Sequence, residues 1–161
     1  MIDPVPISRT GYNKLKEELD RLEKDELPEV MQRVAEAREL GDLSENAEYQ
    51  SGREKQGFLM GRIRELKGML NRSDIVDCTK VECDRAAFGT VVTLLDLDKD
   101  KKITYQLLGP DEADYDTGSI SVESPIGNAI LGREIGEKVS VETPRGDRHF
   151  EVIDIGKSDF D

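Results

Sequence analysis

The spacing of apolar residues changes near residue 75, and this change constrains the fold more than any other feature of the sequence. Before it, apolar side chains recur every three or four positions in two runs: Tyr12, Leu15, Leu19, Leu22 and Leu59, Ile63, Leu66, Leu70. That spacing is typical of the seam of a coiled coil. After it, short runs rich in β-branched residues alternate with turn residues, as they do in β-sheets. The chain is therefore predicted to be an α+β protein.

Residues 1–75 are predicted to form an antiparallel coiled-coil hairpin, because a short connection separates two helical runs of matched length. Ser8 is placed to cap the first helix. Proline removes a backbone donor and crowds the preceding turn, so we expect a kink or short break at Pro28. Gly41 is expected to end this helix in a left-handed conformation. Between the proline and the glycine the seam continues through Val30, Val34 and Ala37.

The second helix is expected to begin between Asp42 and Glu45. Its interior contains glycine, which weakens a helix by about 1 kcal/mol per residue relative to alanine. The glycines are Gly52, Gly57, Gly61 and Gly68. We interpret them as small residues that let the two helices approach closely.

Residues 76–161 are predicted to form a small antiparallel sheet with one short helix. Clusters of Gly, Pro, Asn and Asp separate the β-type runs, which is typical of turns. The predicted strands cover residues 89–95, 102–108, 119–122, 137–141 and 148–153. The helix is expected over residues 125–132, with Pro125 near its start, where proline is well tolerated.

Composition limits the classes of function. The chain is 36% hydrophobic and 36% charged, which suits a long hairpin that buries only one narrow seam. A net charge of -12 argues against a protein that coats nucleic acid, because phosphate contacts need Lys and Arg. The second helix is nevertheless locally basic. Its cationic side chains are Arg53, Lys55, Arg62, Arg64, Lys67 and Arg72.

No apolar run resembles a signal peptide or a membrane span, so we expect a cytoplasmic protein without a membrane partner. Cys78 and Cys83 do not have the spacing of zinc ligands, and we expect them to be reduced thiols. His149 is the only histidine and is expected to be an ordinary strand residue. No arrangement of nucleophile and base is evident, so we expect the chain not to be an enzyme by itself.

Residues 41–49, which read GDLSENAEY, form the predicted tip of the hairpin and carry three carboxylates. Asp42 and Glu45 have the spacing of a capping box, in which an Asp caps the helix and a Glu reaches back to the cap. They could also hold Mg²⁺, which is usually bound by one or two carboxylates together with phosphates from another molecule. The spacing alone leaves both interpretations open.

Arg38 and Arg53 flank the tip, and an antiparallel hairpin would bring them near each other. One interpretation is that they are solvated helix charges, with Arg38 paired to Glu39 or Glu45. The other is that they form a basic spot for a phosphate backbone.

Four blocks of residues resemble a known family over almost the whole chain. They are AEARELGDLSENAEY at 35–49, REKQGF at 53–58, FGTVV at 88–92, and SVESPI at 121–126 with LG at 131–132. The sequence is similar to the Gre transcript cleavage factors of bacteria, a family of transcription elongation factors, and most similar to their GreA type.

The resemblance implies a coiled-coil hairpin followed by an FKBP-like domain, in a monomeric protein that binds backtracked RNA polymerase. It implies that the globular domain docks at the rim of the secondary channel while the hairpin enters the channel. The polymerase's own active site would then cut the nascent RNA 3′ end. The resemblance thus implies a factor that is not itself an enzyme and binds no cofactor alone.

The resemblance also implies roles for individual residues. Asp42 and Glu45 would be the acid pair that shares a catalytic Mg²⁺ with the polymerase. Arg38 and Arg53 would face the RNA 3′ segment. A segment of the globular domain would contact the polymerase through Ser121, Ser124 and Pro125, and the tip would be supported by Glu48 and Tyr49.

Two other functions remain open. One is an inhibitory factor that enters the channel without stimulating cleavage. The inhibitory members of the resembled family have a more acidic tip, whereas Asp42-Leu43-Ser44-Glu45 follows the cleavage-competent pattern. The other is a peptidyl-prolyl isomerase with a helical arm, which would need an aromatic pocket that few aromatic residues are available to build.

Overall fold

The computed structural model of the chain describes residues 3–41 and 46–159. They form two compact units. The first, which we call the arm, comprises Tyr12–Ser73. The second, which we call the globular unit, comprises Asp3–Gly11 together with residues 74–159. Within the described residues, no helix is both long and apolar enough to cross a membrane.

The arm consists of α1 (Arg9–Arg21), which begins in the globular unit, α2 (Leu27–Glu39) and α3 (Ala47–Asn71). Glu18 of α1 binds Arg62, whereas Ala37 near the end of α2 binds Asn46, so the two sides of the arm run antiparallel. The predicted seam is confirmed by burial. Its buried members are Leu15, Leu22, Val30, Val34, Ala37, Leu59, Ile63 and Leu66.

The irregularity predicted near Pro28 is confirmed, but it is a wider helical turn rather than a break. Leu22–Glu26 form a π-helical segment between α1 and α2, and the N–H of Leu27 donates to the carbonyl of Leu22. Pro28 lies in the first turn of α2. Proline has no N–H and its ring crowds the carbonyl four residues earlier. The extra residue in the preceding turn lets the helical backbone continue past it.

The glycines of α3 do not share one role. A Cβ on Gly52 would lie 2.8 Å from Cγ2 of Val34 on α2, so Gly52 is the site of close approach. A Cβ on Gly57, Gly61 or Gly68 would have nothing within 4 Å among the described residues. The interpretation that all four glycines bring the helices together is therefore correct only for Gly52.

This difference predicts opposite effects of alanine at two glycines of one helix. Gly52→Ala should lower the free energy of unfolding by about 1–3 kcal/mol, because Val34 is β-branched and has little rotamer freedom to move away. Gly61→Ala should raise it by about 0.5–1 kcal/mol, since alanine is the better helix former where space is open. Urea unfolding monitored by circular dichroism would measure both. The same sign for both variants would contradict the close approach at Gly52.

The globular unit begins with a two-stranded sheet that the sequence did not predict, made by β1 (Val5–Ser8) and β2 (Ser73–Val76). Ser8 ends β1 and, as predicted, caps α1, because its Oγ accepts from the N–H of Gly11 at 3.0 Å. The backbone N–H of Ser8 donates to the carboxylate of Glu112 at 3.0 Å. The start of α1 is thus fixed within the globular unit.

A five-stranded sheet forms the rest of this unit, in the order β5-β4-β3-β7-β6. Its strands are β3 (Val91–Asp96), β4 (Lys101–Leu108), β5 (Ser119–Ser121), β6 (Lys138–Thr143) and β7 (Gly146–Gly156). Three of the neighbouring pairs are antiparallel, but β5 pairs with β4 in parallel. The prediction of a wholly antiparallel sheet was therefore wrong at this edge, because residues 109–118 cross over instead of forming a hairpin.

One short helix, α4 (Pro125–Ile130), accompanies the sheet, as predicted, although it ends before residue 132. The core of the unit is aliphatic apart from two aromatic rings, those of Tyr105 and Phe150. Its other members are Ala86, Val92, Leu94, Leu107, Ile120, Ile130, Val139, Val141, Val152 and Ile155. A helical arm with a sheet-based unit confirms the α+β class.

Candidate functional site

In the arm, the described residues stop at residue 41 and resume at residue 46, on either side of the acidic stretch. α2 ends at Glu39, and Gly41 has a φ of +132°, which side chains other than glycine rarely adopt. This confirms that Gly41 ends the helix with a positive φ. Asp42 and Glu45 lie outside the described residues, so their proposed roles stay predictions.

The helix after the tip is capped by Asn46, not by Asp42. α3 begins at Ala47, and Oδ1 of Asn46 accepts from the N–H of Tyr49 at 3.1 Å. Asp42 is therefore not the N-cap of α3, as the capping-box interpretation required, and Asp42 and Glu45 themselves lie outside the described residues. Asn is as good a cap as Asp, so sequence preference alone could not choose between them.

The amide of Asn46 also reaches the other helix. Its Nδ2 donates to the carbonyl of Ala37 at 2.6 Å, and Leu40 donates to the same carbonyl at 3.2 Å. Only one orientation of the amide presents an acceptor to an N–H and a donor to a carbonyl, so both bonds together fix it. One side chain thereby bonds an N–H at the start of α3 and a carbonyl in the last turn of α2, two groups that lack the usual partner four residues away in their own helix.

Arg38 and Arg53 both act on Tyr49. Nη2 of Arg38 lies 3.5 Å from the Tyr49 hydroxyl oxygen, and its guanidinium carbon lies 5.7 Å from the ring centre. The hydrogen bond from Arg38 and the positive charges of Arg38 and Arg53 lower the pKa of Tyr49, against the opposing effect of desolvation. Arg38 of α2 therefore lies against the Tyr49 phenol, and Arg53 follows Tyr49 by one helical turn on α3. We call Arg38, Tyr49 and Arg53 the cationic cluster.

The interpretation of Arg38 and Arg53 as ordinary paired charges finds little support. Among the described residues, no carboxylate lies within 4.0 Å of either guanidinium, and this includes Glu39. Glu45, the other acid considered, lies outside them. Both arginines are exposed, so both are accessible to an anionic ligand.

Other cations of α3 are occupied within the arm. Arg62 donates to both carboxylate oxygens of Glu18, at 3.0 and 3.1 Å, and Lys67 lies 3.7 Å from Glu23. The bond from Glu18 raises the pKa of Arg62. These pairs brace the two sides of the arm. The locally basic surface expected of α3 is therefore smaller than its composition suggests.

Ser121, Ser124 and Pro125, which are expected to contact a partner protein, lie in the turn that starts α4. Ser124 caps α4, since its Oγ accepts from the N–H of Gly127 at 3.1 Å and donates to the carbonyl of Ser121 at 2.6 Å. Pro125 starts the helix and is exposed. The turn holds these residues close together, but nothing in the chain alone tests contact with a partner.

The other candidates have ordinary roles. Cys78 and Cys83 do not form a disulfide, as expected for reduced thiols. His149 is a residue of β7, as predicted, with Nδ1 3.2 Å from a carboxylate oxygen of Asp98. Over residues 3–41 and 46–159, no three His, Cys, Asp or Glu side chains are grouped in a way that could hold a metal ion.

Asn46 is the residue that sequence reasoning missed. It belongs to the stretch 41–49 and is a strong helix cap by type, but Asp42 and Glu45 in the same stretch have the spacing of a capping box. Its residue type was the only signal in the sequence, and that signal is shared with Asp42, because Asn and Asp are equally good caps.

Comparison with known proteins agrees with this architecture. The model of the N-terminal domain of transcription elongation factors GreA and GreB matches residues 5–75, and that of their C-terminal domain matches residues 81–157. GreA of Desulfotalea psychrophila is 52% identical over 99% of both chains. GreA of Thermodesulfovibrio yellowstonii is 47% identical over 96% of this chain and 98% of its own.

A solved structure, GreA factor homolog 1 (Gfh1) of Thermus thermophilus, is 29% identical over 94% of this chain and 98% of its own, with a TM-score of 0.44. The family matches fall on both halves of the chain and on the tip between α2 and α3. The chain belongs to the GreA/GreB family of transcription elongation factors.

Proposed function

We propose that this elongation factor rescues backtracked RNA polymerase by stimulating the polymerase to cleave the 3′ end of its nascent RNA. The observation that supports this is the cationic cluster. Arg38 lies beside Tyr49, which Arg53 follows by one helical turn, and the same stretch of sequence carries Asp42 and Glu45. Cations for an RNA backbone and acids for a metal ion are the two groups that assisted phosphodiester cleavage needs.

Asp42 and Glu45 suit a shared Mg²⁺ by their chemistry. Carboxylate oxygens are ligands that Mg²⁺ prefers, but two carboxylates do not complete its shell, so the polymerase and the RNA phosphate would supply the rest. Bound there, the ion would neutralise charge on the phosphate undergoing hydrolysis. Because Asn46 caps α3, neither acid is needed for that cap.

Arg38 and Arg53 would bind the backbone of the extruded RNA. Guanidinium groups form paired hydrogen bonds with phosphate oxygens and keep their charge at any physiological pH. The arm would enter the secondary channel, and Ser121, Ser124 and Pro125 would lie in the surface that docks at its rim. In this proposal the factor acts as a monomer in the cytoplasm, and the bond is broken in the polymerase active site.

The proposal is tested by RNA cleavage in a purified, backtracked bacterial elongation complex with 3′-labelled RNA. Wild-type protein should speed release of short 3′ fragments when Mg²⁺ is present, and should release none from the same RNA without polymerase. Binding that slows cleavage and elongation would instead identify an inhibitory factor. Failure to bind polymerase would contradict the proposal altogether.

A further inference from the structure

The hydrogen bonds of Asn46 lie directly beside the cationic cluster. Arg38 follows Ala37, whose carbonyl accepts from Asn46, and Tyr49 is the residue whose N–H donates to Asn46. Arg53 follows Tyr49 by one helical turn on α3. The amide of Asn46 therefore joins the backbone on α2 that carries Arg38 to the backbone on α3 that carries the other two members.

We propose that Asn46 is a positioning residue that holds Arg38 of α2 and Arg53 of α3 in a single site for the RNA phosphate backbone, around Tyr49. The choice of RNA as the ligand rests on the proposed function. Asn46 is not itself a ligand-binding group in this proposal. It acts through the two helix ends, because guanidinium groups on different helices share one phosphate segment only while the helices keep a fixed separation.

Capping alone does not explain why this residue is an asparagine. Ser, Asp and Asn cap helices about equally well. A cap needs only an acceptor, whereas Nδ2 of Asn46 also donates a hydrogen bond of 2.6 Å to the carbonyl of Ala37 on the other helix. A carboxylate has no proton to donate there, and a serine hydroxyl is one bond shorter. Substitution by Ser or Asp should therefore keep the helix cap and remove the hydrogen bond to Ala37, which we call the Asn46 bridge.

The bridge has a readout that does not depend on RNA or polymerase. If Asn46 holds Arg38 against Tyr49, the Tyr49 phenol should titrate at lower pH in the wild type than in Asn46→Ser, because the guanidinium groups stabilise the phenolate. Ring ¹³C NMR of labelled tyrosine would follow this titration. The chain has four tyrosines, so a Tyr49→Phe variant identifies the signal by its loss.

The same variants are then compared in the cleavage reaction as a function of factor concentration. Asn46→Ser should lower the maximal cleavage rate by up to about 100-fold, the size of effect that a misplacement of about 1 Å can have. The concentration that gives half the maximal rate should stay the same, because docking belongs to the globular unit. Asn46→Asp should behave like Asn46→Ser, and circular dichroism should show wild-type helix content for both.

The proposal is overturned if Tyr49 titrates identically in the wild type and in both variants. It is also overturned if the titration changes but the maximal cleavage rate does not. A wild-type protein that fails to stimulate cleavage would overturn the proposed function instead, and the tyrosine titration would then decide the Asn46 bridge by itself.

Discussion

Asp42→Asn and Glu45→Gln should each abolish most of the stimulation of RNA cleavage while leaving polymerase binding intact. A metal ion contributes several kcal/mol of charge stabilisation in such reactions. Because each 1.36 kcal/mol corresponds to a factor of ten in rate, loss of an acid should cost about 100-fold or more. Cleavage rates at saturating factor, with binding measured by competition against labelled wild-type protein, would test this.

The structure sharpens the interpretation of these two variants. Asn46 caps α3, so a loss of activity in Asp42→Asn cannot be explained by loss of that cap. Glu54→Gln is a matched control, since it removes one exposed carboxylate from α3 by the same isosteric change. Raising the Mg²⁺ concentration should partly restore the acid variants. If Asp42→Asn cleaves as fast as Glu54→Gln, Asp42 does not handle the metal.

Gly127→Ala should unfold or severely destabilise the globular unit. A Cβ at this position would lie 2.0 Å from the carbonyl oxygen of Ser121 and 2.9 Å from Oγ of Ser124. The first of these is a backbone atom held by the turn between β5 and α4, so a change of rotamer cannot relieve the contact. We expect a loss of about 3 kcal/mol or more in the free energy of unfolding.

Helix propensity predicts the opposite sign for this substitution, since alanine is favoured over glycine by about 1 kcal/mol. Denaturant unfolding of the full chain therefore discriminates between a packing constraint and a conformational preference. Asn128→Ala, at the next and exposed position of α4, is the control and should change stability by less than about 0.5 kcal/mol. A Gly127→Ala protein as stable as this control would contradict the geometry of the turn.

The seam of the arm could be predicted from sequence because burial follows the spacing of apolar residues directly. The same spacing could also have predicted which glycine of α3 packs against α2. Gly52 lies seven residues before Leu59 and so falls on the seam, whereas Gly57, Gly61 and Gly68 do not. Only Gly52 faces α2, as its contact with Val34 shows.

Other features of the fold could not be predicted from local sequence, because they depend on contacts between distant parts of the chain. β1 and β2 are four residues each, and their pairing joins residues that lie more than 60 positions apart. The parallel pairing of β5 depends on the path of residues 109–118, not on any local pattern. The helix cap also depends on a contact between the two helices, because Asn46 reaches the carbonyl of Ala37 while it caps α3.

The pairing of β1 with β2 makes the arm an insertion within another domain. The chain leaves the globular unit after Gly11 and re-enters it at Asp74, and the strands next to these two crossing points belong to one small sheet. An insertion whose two junctions share a sheet can be exchanged as a cassette without opening the host core. Evolution could thus have changed the arm while leaving the globular unit unaltered.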